Sequence, residues 1–126
     1  MARTMRITTA SAGAVIAELT GESPGTAEVV WAKLPIEGRA NTWGDEIYFT
    51  IPVTCGAEKP RAVVEVGDVA YWPPGEAICF FFGPTPASRG GEIRPASPVN
   101  VFAKIVGDAK TLERARSGEK VLIERV

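Results

Sequence analysis

The chain of 126 residues has no histidine, no glutamine and only two cysteines. Without an imidazole there can be no Ser-His or Cys-His nucleophile pair, no histidine general base and no zinc site that uses histidine. Cys55 and Cys79 are too few for a four-thiolate site, and without a secretory leader they read as small buried hydrophobes rather than as a disulfide. No metal and no other cofactor is expected. An excess of positive charge is also missing, since 14 Lys and Arg are interspersed with 15 Asp and Glu. That balance lacks the basic stripe needed to neutralise a phosphate backbone, so nucleic acid is not an expected partner. Nor is there a long hydrophobic run. The opening "MARTMRITTASAGAVIAELTG" carries early arginines, and its short apolar stretch is broken by Glu18. Neither a signal peptide nor a membrane span is expected, which points to the cytoplasm and away from a membrane partner.

What is present is a chain of single-domain length, read as one domain over residues 1–126, with many short β-branched and aromatic segments. "TMRITTA" and "AVIAELT" read as a hairpin near residues 3–19. Ser23 and Pro24 mark a helix start, Ala27, Val30, Trp31 and Leu34 fall on one helical face, and Pro35 ends the helix. Residues 38–44 read as loop, and "DEIYFTIPV" as a strand. "AVVEVGDVAYW" and "AICFFFG" form a strand pair around the reversal Pro73-Pro74-Gly75. The polar "SRGGEIRPAS" is a loop; strand "NVFAKIV", a short helix from Asp108 to a stop at Gly118, and strand "KVLIERV" complete the chain. About eight strands and two helices predict a closed or nearly closed antiparallel barrel.

Side chains of Ile78, Cys79, Phe80, Phe81 and Phe82 alternate between two faces, so this strand must be covered on both. One face is expected to fill the barrel, and the other, with Cys79 and Phe81, to line a groove walled by neighbouring aromatics. "NTWGDE" is read as a turn in which Asn41 and Thr42 bond their own backbone, and Asp45 and Glu46, being consecutive, point to opposite faces and cannot act as an acid-base pair. The arginines of "RGGEIRP" lack the strand-turn-helix setting of a phosphate loop and read as a solvated face.

"VFAKIVGDAKTLERA", residues 101–115, resembles the strand, glycine and helix near the C-terminus of cyclophilins, and "AYWPPGEAICFFF" resembles the segment that turns into their Gln-Phe-Phe strand. "NTWGDEIYF", "GDVAYWPPG", "FFFGPTP" and "PASPVN" together are similar to the small cyclophilin-like proteins of bacteria and archaea. The resemblance implies a mainly β fold, a closed, roughly eight-stranded antiparallel β-barrel capped by two short helices. It does not carry the prolyl isomerase apparatus across. Phe49 in "FTIP" stands where the catalytic arginine of that family would be, Cys79 where its glutamine would be, and only Phe81 matches, as the pocket phenylalanine. Rotation about a prolyl bond is helped by donors aimed at groups whose charge changes as amide resonance breaks, and these are the groups replaced.

The expected function is therefore binding of a small molecule or a short, proline-containing peptide in an apolar, aromatic groove. Its residues are Trp43, Tyr48, Phe49, Tyr71, Trp72, Cys79 and Phe81, with Thr85 and Arg94 at the rim. The alternative is a divergent peptidyl-prolyl isomerase using a relocated arginine, for which Arg39, Arg61 and Arg94 are the candidates. A further alternative partner is a second copy of the chain, closing an apolar patch formed by "YWPPG" and "FGPTP".

Overall fold

The computed structural model describes residues 3–126. Strands β1 (Thr4–Thr9) and β2 (Gly13–Leu19) form the first hairpin, and helix α1 (Pro24–Lys33) follows it. Then come β3 (Ile36–Arg39), β4 (Asn41–Thr42), β5 (Glu46–Thr50), β6 (Asp68–Trp72), β7 (Ala77–Phe81), β8 (Asn100–Val106) and β9 (Lys120–Arg125). Short 3₁₀ turns at Pro73–Gly75 and Ala109–Arg114 link β6 to β7 and β8 to β9. All pairings are antiparallel, in the order β3-β9-β1-β2-β8-β6-β7-β5-β4.

The residues read as loop, 38–44, instead bring the two ends of this sheet together. Ile36–Arg39 pairs with β9, Ala40 exchanges backbone hydrogen bonds with Gly118 and Glu119, and Asn41–Thr42 then pairs with β5. One continuous run thus belongs to both ends of the sheet, and counted as a single bent strand it makes an eight-membered, nearly closed barrel. Gly38 is required at this seam, because a Cβ there would overlap the ring of Phe49 from β5.

Inside the barrel Met5, Ile7, Ile47, Phe49, Val69, Tyr71, Ile78, Phe80, Phe102 and Ile123 form one apolar cluster. Each large side chain buried there contributes roughly 1.5–3 kcal/mol, which is why the odd and even positions of a strand cannot be exchanged by a one-residue slip. A bulge where β6 meets β8 shifts the register from Val69↔Ala103 to Ala70↔Val101. The extra residue lets Phe102 and Ala103 both face the interior while Val101 stays outside.

Helix α1 and its C-cap bury Ala27, Val30 and Leu34 as the spacing predicts, whereas Trp31 is only half-buried and Thr26 is buried in addition; its start is also held differently from the expectation. The Ser23 hydroxyl makes no cap and donates to the Glu58 carbonyl at 3.1 Å. The free amides of Gly25 and Thr26 donate instead to the Glu58 carboxylate, at 3.0 and 2.8 Å. A distant carboxylate thus supplies the acceptor, and the negative charge, that a helix N-terminus favours. The Thr26 hydroxyl, which donates to the same carboxylate at 2.7 Å, and these two amides hold the Glu58 carboxyl below its ordinary value.

Candidate functional site

On the outer face of β5, β6 and β7 a second apolar cluster forms from Val64, Ala70, Cys79, Phe81, Ile93, Val99 and Val101, with Tyr48 and Trp72 packed against it. Antiparallel register sets Tyr48 opposite Cys79 and Cys79 opposite Ala70. The segment 93–99 lies over this face, anchored by bridges from Val64 to Ile93 and from Arg61 to Val99. Between the segment and the sheet is a cavity of about 240 Å³ lined by Trp43, Glu46, Tyr48, Trp72, Cys79, Pro95, Ala96 and Val99.

Its walls are held by specific bonds. The Trp72 indole N–H donates to Ser97 Oγ at 2.7 Å, tying the β6 side of the wall to the covering segment. Trp43 sits in a turn closed by its N–H to the Glu46 carbonyl at 3.0 Å. The next residue, Gly44, has φ +61 and lies so close to Pro84 and Thr85 that a Cβ would approach them to 2.9 Å. Both the backbone angle and the space demand glycine there. Thr85 completes the frame: its hydroxyl donates to the Arg94 carbonyl, and its N–H to Ser88 Oγ at 2.9 Å. Ser88 Oγ also accepts from the Arg94 N–H at 3.1 Å.

Glu46 carries the one carboxyl group of this lining. It is 5 % exposed, and its Oε1 has no hydrogen-bond partner. Burial pushes its carboxyl from the ordinary 4.5 up to about 7, and the weak S–H donor of the adjacent Cys79 offsets part of the rise. Burial and the Glu46 carboxyl in turn push the Cys79 thiol well above its ordinary range, so the sulfur stays protonated and is not an activated nucleophile. A buried acceptor without a partner costs about 1–3 kcal/mol, a cost relieved by any donor that enters. Among the described residues no cluster could hold a metal ion.

Comparison with known proteins accords with the barrel topology: the model of the family described as Cyclophilin-like matches residues 3–124. The chain belongs to the cyclophilin-like family. Among solved structures, that of a hypothetical protein from Archaeoglobus fulgidus, determined in solution, is 46% identical, with a TM-score of 0.85 over 99% of this chain and 95% of that one. No functionally curated protein matches the sequence.

In this cyclophilin-like barrel, four of the anticipated groove residues meet at the cavity: Trp43, Tyr48, Trp72 and Cys79. Phe81 shares the face of Cys79 but is fully buried in the cluster beneath the covering segment. Phe49 and Tyr71 are not in the groove. Each follows or precedes an outward-facing aromatic, Tyr48 and Trp72 respectively, so strand alternation turns both into the barrel. Tyr71 there donates its hydroxyl to the Val53 carbonyl at 2.7 Å. Thr85 is buried and acts on the cavity through the frame described above. Arg94 pairs with Glu92 at 2.6 Å and borders a separate hollow of about 440 Å³ on the other side of Pro95 and Ala96. The residue that sequence reading passed over is Glu46. Alternation from Tyr48 places it on the groove face, but the cavity it lines is completed by Pro95, Ala96 and Val99 from far along the chain.

Proposed function

We propose that the protein is a binding domain whose outer cavity receives a small, largely apolar ligand. The observation that carries this reading is the preformed aromatic wall, with Trp72 fixed to Ser97 and the Trp43 turn wedged against Pro84 and Thr85, so that little ordering is required on binding. A volume of about 240 Å³ is below the range of drug-sized sites and favours a fragment-sized molecule, or one side chain of a peptide, over an extended peptide. The isomerase alternative draws no support from the arginines. Arg39 reaches the Gly118 carbonyl, Arg61 pairs with Glu22 and Asp68, Arg94 pairs with Glu92, and none of the three lines the cavity.

The three tryptophans provide the test. Trp31 is absent from the cavity lining and has the guanidinium groups of Arg3 and Arg125 over its ring at 5.3 and 5.1 Å. In a nuclear magnetic resonance screen of small aromatic and proline-containing fragments, hits should shift the indole N–H signals of Trp43 and Trp72 and leave Trp31 in place. Hits that move all three alike, or none of them, would overturn the reading. Exchange spectroscopy on an Xaa-Pro peptide should show no acceleration by the protein; acceleration would restore the isomerase.

A further inference from the structure

Resting on that reading of the cavity, we infer that its ligand is a small organic cation, an amine or amidine on an apolar body, with the nitrogen bound at Glu46 and the body held between Trp43, Tyr48 and Trp72. Glu46 Oε1 is a buried acceptor with no hydrogen-bond partner among the described residues, and the Glu46 residue that carries it is part of the lining of the cavity. A ligand that enters can therefore supply the missing donor. The rest of the lining selects among donors. Three aromatic residues offer the electron-rich faces that attract a cation, tryptophan most strongly, and Pro95, Ala96 and Val99 give an apolar body contact area. An ammonium or amidinium satisfies the carboxylate and the rings together, whereas a neutral hydroxyl satisfies only the first. An anion meets the carboxylate and no lining cation.

The surroundings also fix how binding responds to pH. Lining the cavity with Glu46 are the protonated Cys79 thiol on β7, the Tyr48 phenol on β5 and the uncharged Pro95 and Ala96 of the covering segment. The nearest guanidinium along that segment, Arg94, is engaged by Glu92. A cationic ligand stabilises ionised Glu46, so its binding releases a proton below pH 7 and tightens as pH rises from 5 to 8.

The experiment compares benzylammonium, benzyl alcohol and benzoate as probes of the intact protein by calorimetry and by the Trp43 and Trp72 indole signals. Benzylammonium is expected to bind at least about tenfold more tightly than the alcohol at pH 7.5, with benzoate weakest. Glu46→Gln should remove the preference of the ammonium over the alcohol. In parallel, carbon-13 detection of the Glu46 carboxyl should show its titration moving to lower pH when benzylammonium is present, a readout that needs no variant. Equal binding of ammonium and alcohol, or a Glu46 titration unmoved by benzylammonium, would overturn the cation while leaving the cavity as a binding site. Failure of every probe to shift Trp43 or Trp72 would overturn both.

Discussion

Replacing Glu46 with glutamine should abolish a pH dependence of stability that the wild-type protein shows near neutrality. The folded protein holds a proton on Glu46 up to about pH 7, whereas the unfolded chain releases it near the ordinary 4.5. Between these values the folded state binds more protons, so the stability contributed by the neutral carboxyl is full below 4.5 and is lost as pH rises toward 7. At about 1.4 kcal/mol per pH unit the whole loss is on the order of 3 kcal/mol, of which about 2 kcal/mol falls between pH 5 and 7.5. The sequence leaves this window clear, because there is no histidine to titrate in it. Glu58 and Glu119 are held below their ordinary values and titrate on the acid side, and the Cys79 thiol titrates far above. Urea unfolding at fixed ionic strength from pH 5 to 7.5 should therefore give a falling stability for the wild type and a nearly flat one for Glu46→Gln, the variant being the more stable at the upper end. Parallel curves for the two proteins would refute the reasoning and mean that Glu46 is better hydrated than its burial indicates.

Tyr71→Phe should destabilise the fold by about 1–3 kcal/mol in the same assay, because the Val53 carbonyl loses its 2.7 Å partner inside the barrel, while the Trp43 and Trp72 signals stay unchanged. Gly38→Ala should cost roughly 1–3 kcal/mol by forcing Phe49 from its place at the seam, measured as a lower urea midpoint; an unchanged midpoint would mean that the barrel ends do not meet there. Trp72→Phe removes the 2.7 Å bond to Ser97 and should speed amide hydrogen exchange at residues 93–99 without affecting the β1–β2 hairpin.

Alternation within β7 was legible from the residues alone. Ile78, Phe80 and Phe82 fill the barrel, and Cys79 and Phe81 belong to the outer cluster. The division into two faces is local, but which of them fills the barrel is not, because both are apolar and the pairing with β5 and β6 decides it. β3 and β4 carry no such local signal, since Glu37, Gly38 and Asn41 have little strand preference and become strands only because β9 and β5 supply partners from far along the chain. The site was half legible. Parity distinguishes Tyr48 from Phe49 and Tyr71 from Trp72, and grouping all four in one groove set aside a constraint already contained in the sequence. Glu46 is a different case, for its side follows from Tyr48 but the cavity it lines is completed by a segment about fifty residues away, which no local pattern encodes.

The joining of both sheet ends by residues 36–42 also limits how a partner can be recognised. Many proteins capture peptides by letting them extend a sheet, with backbone amides and carbonyls on an open margin doing the holding. Here the run that pairs with β9 passes directly into pairing with β5, so the margin such a guest would need is already taken by the chain itself. A ligand of the proposed cavity would then be discriminated by side chains, through its functional groups rather than through an ability to lie flat as one more strand.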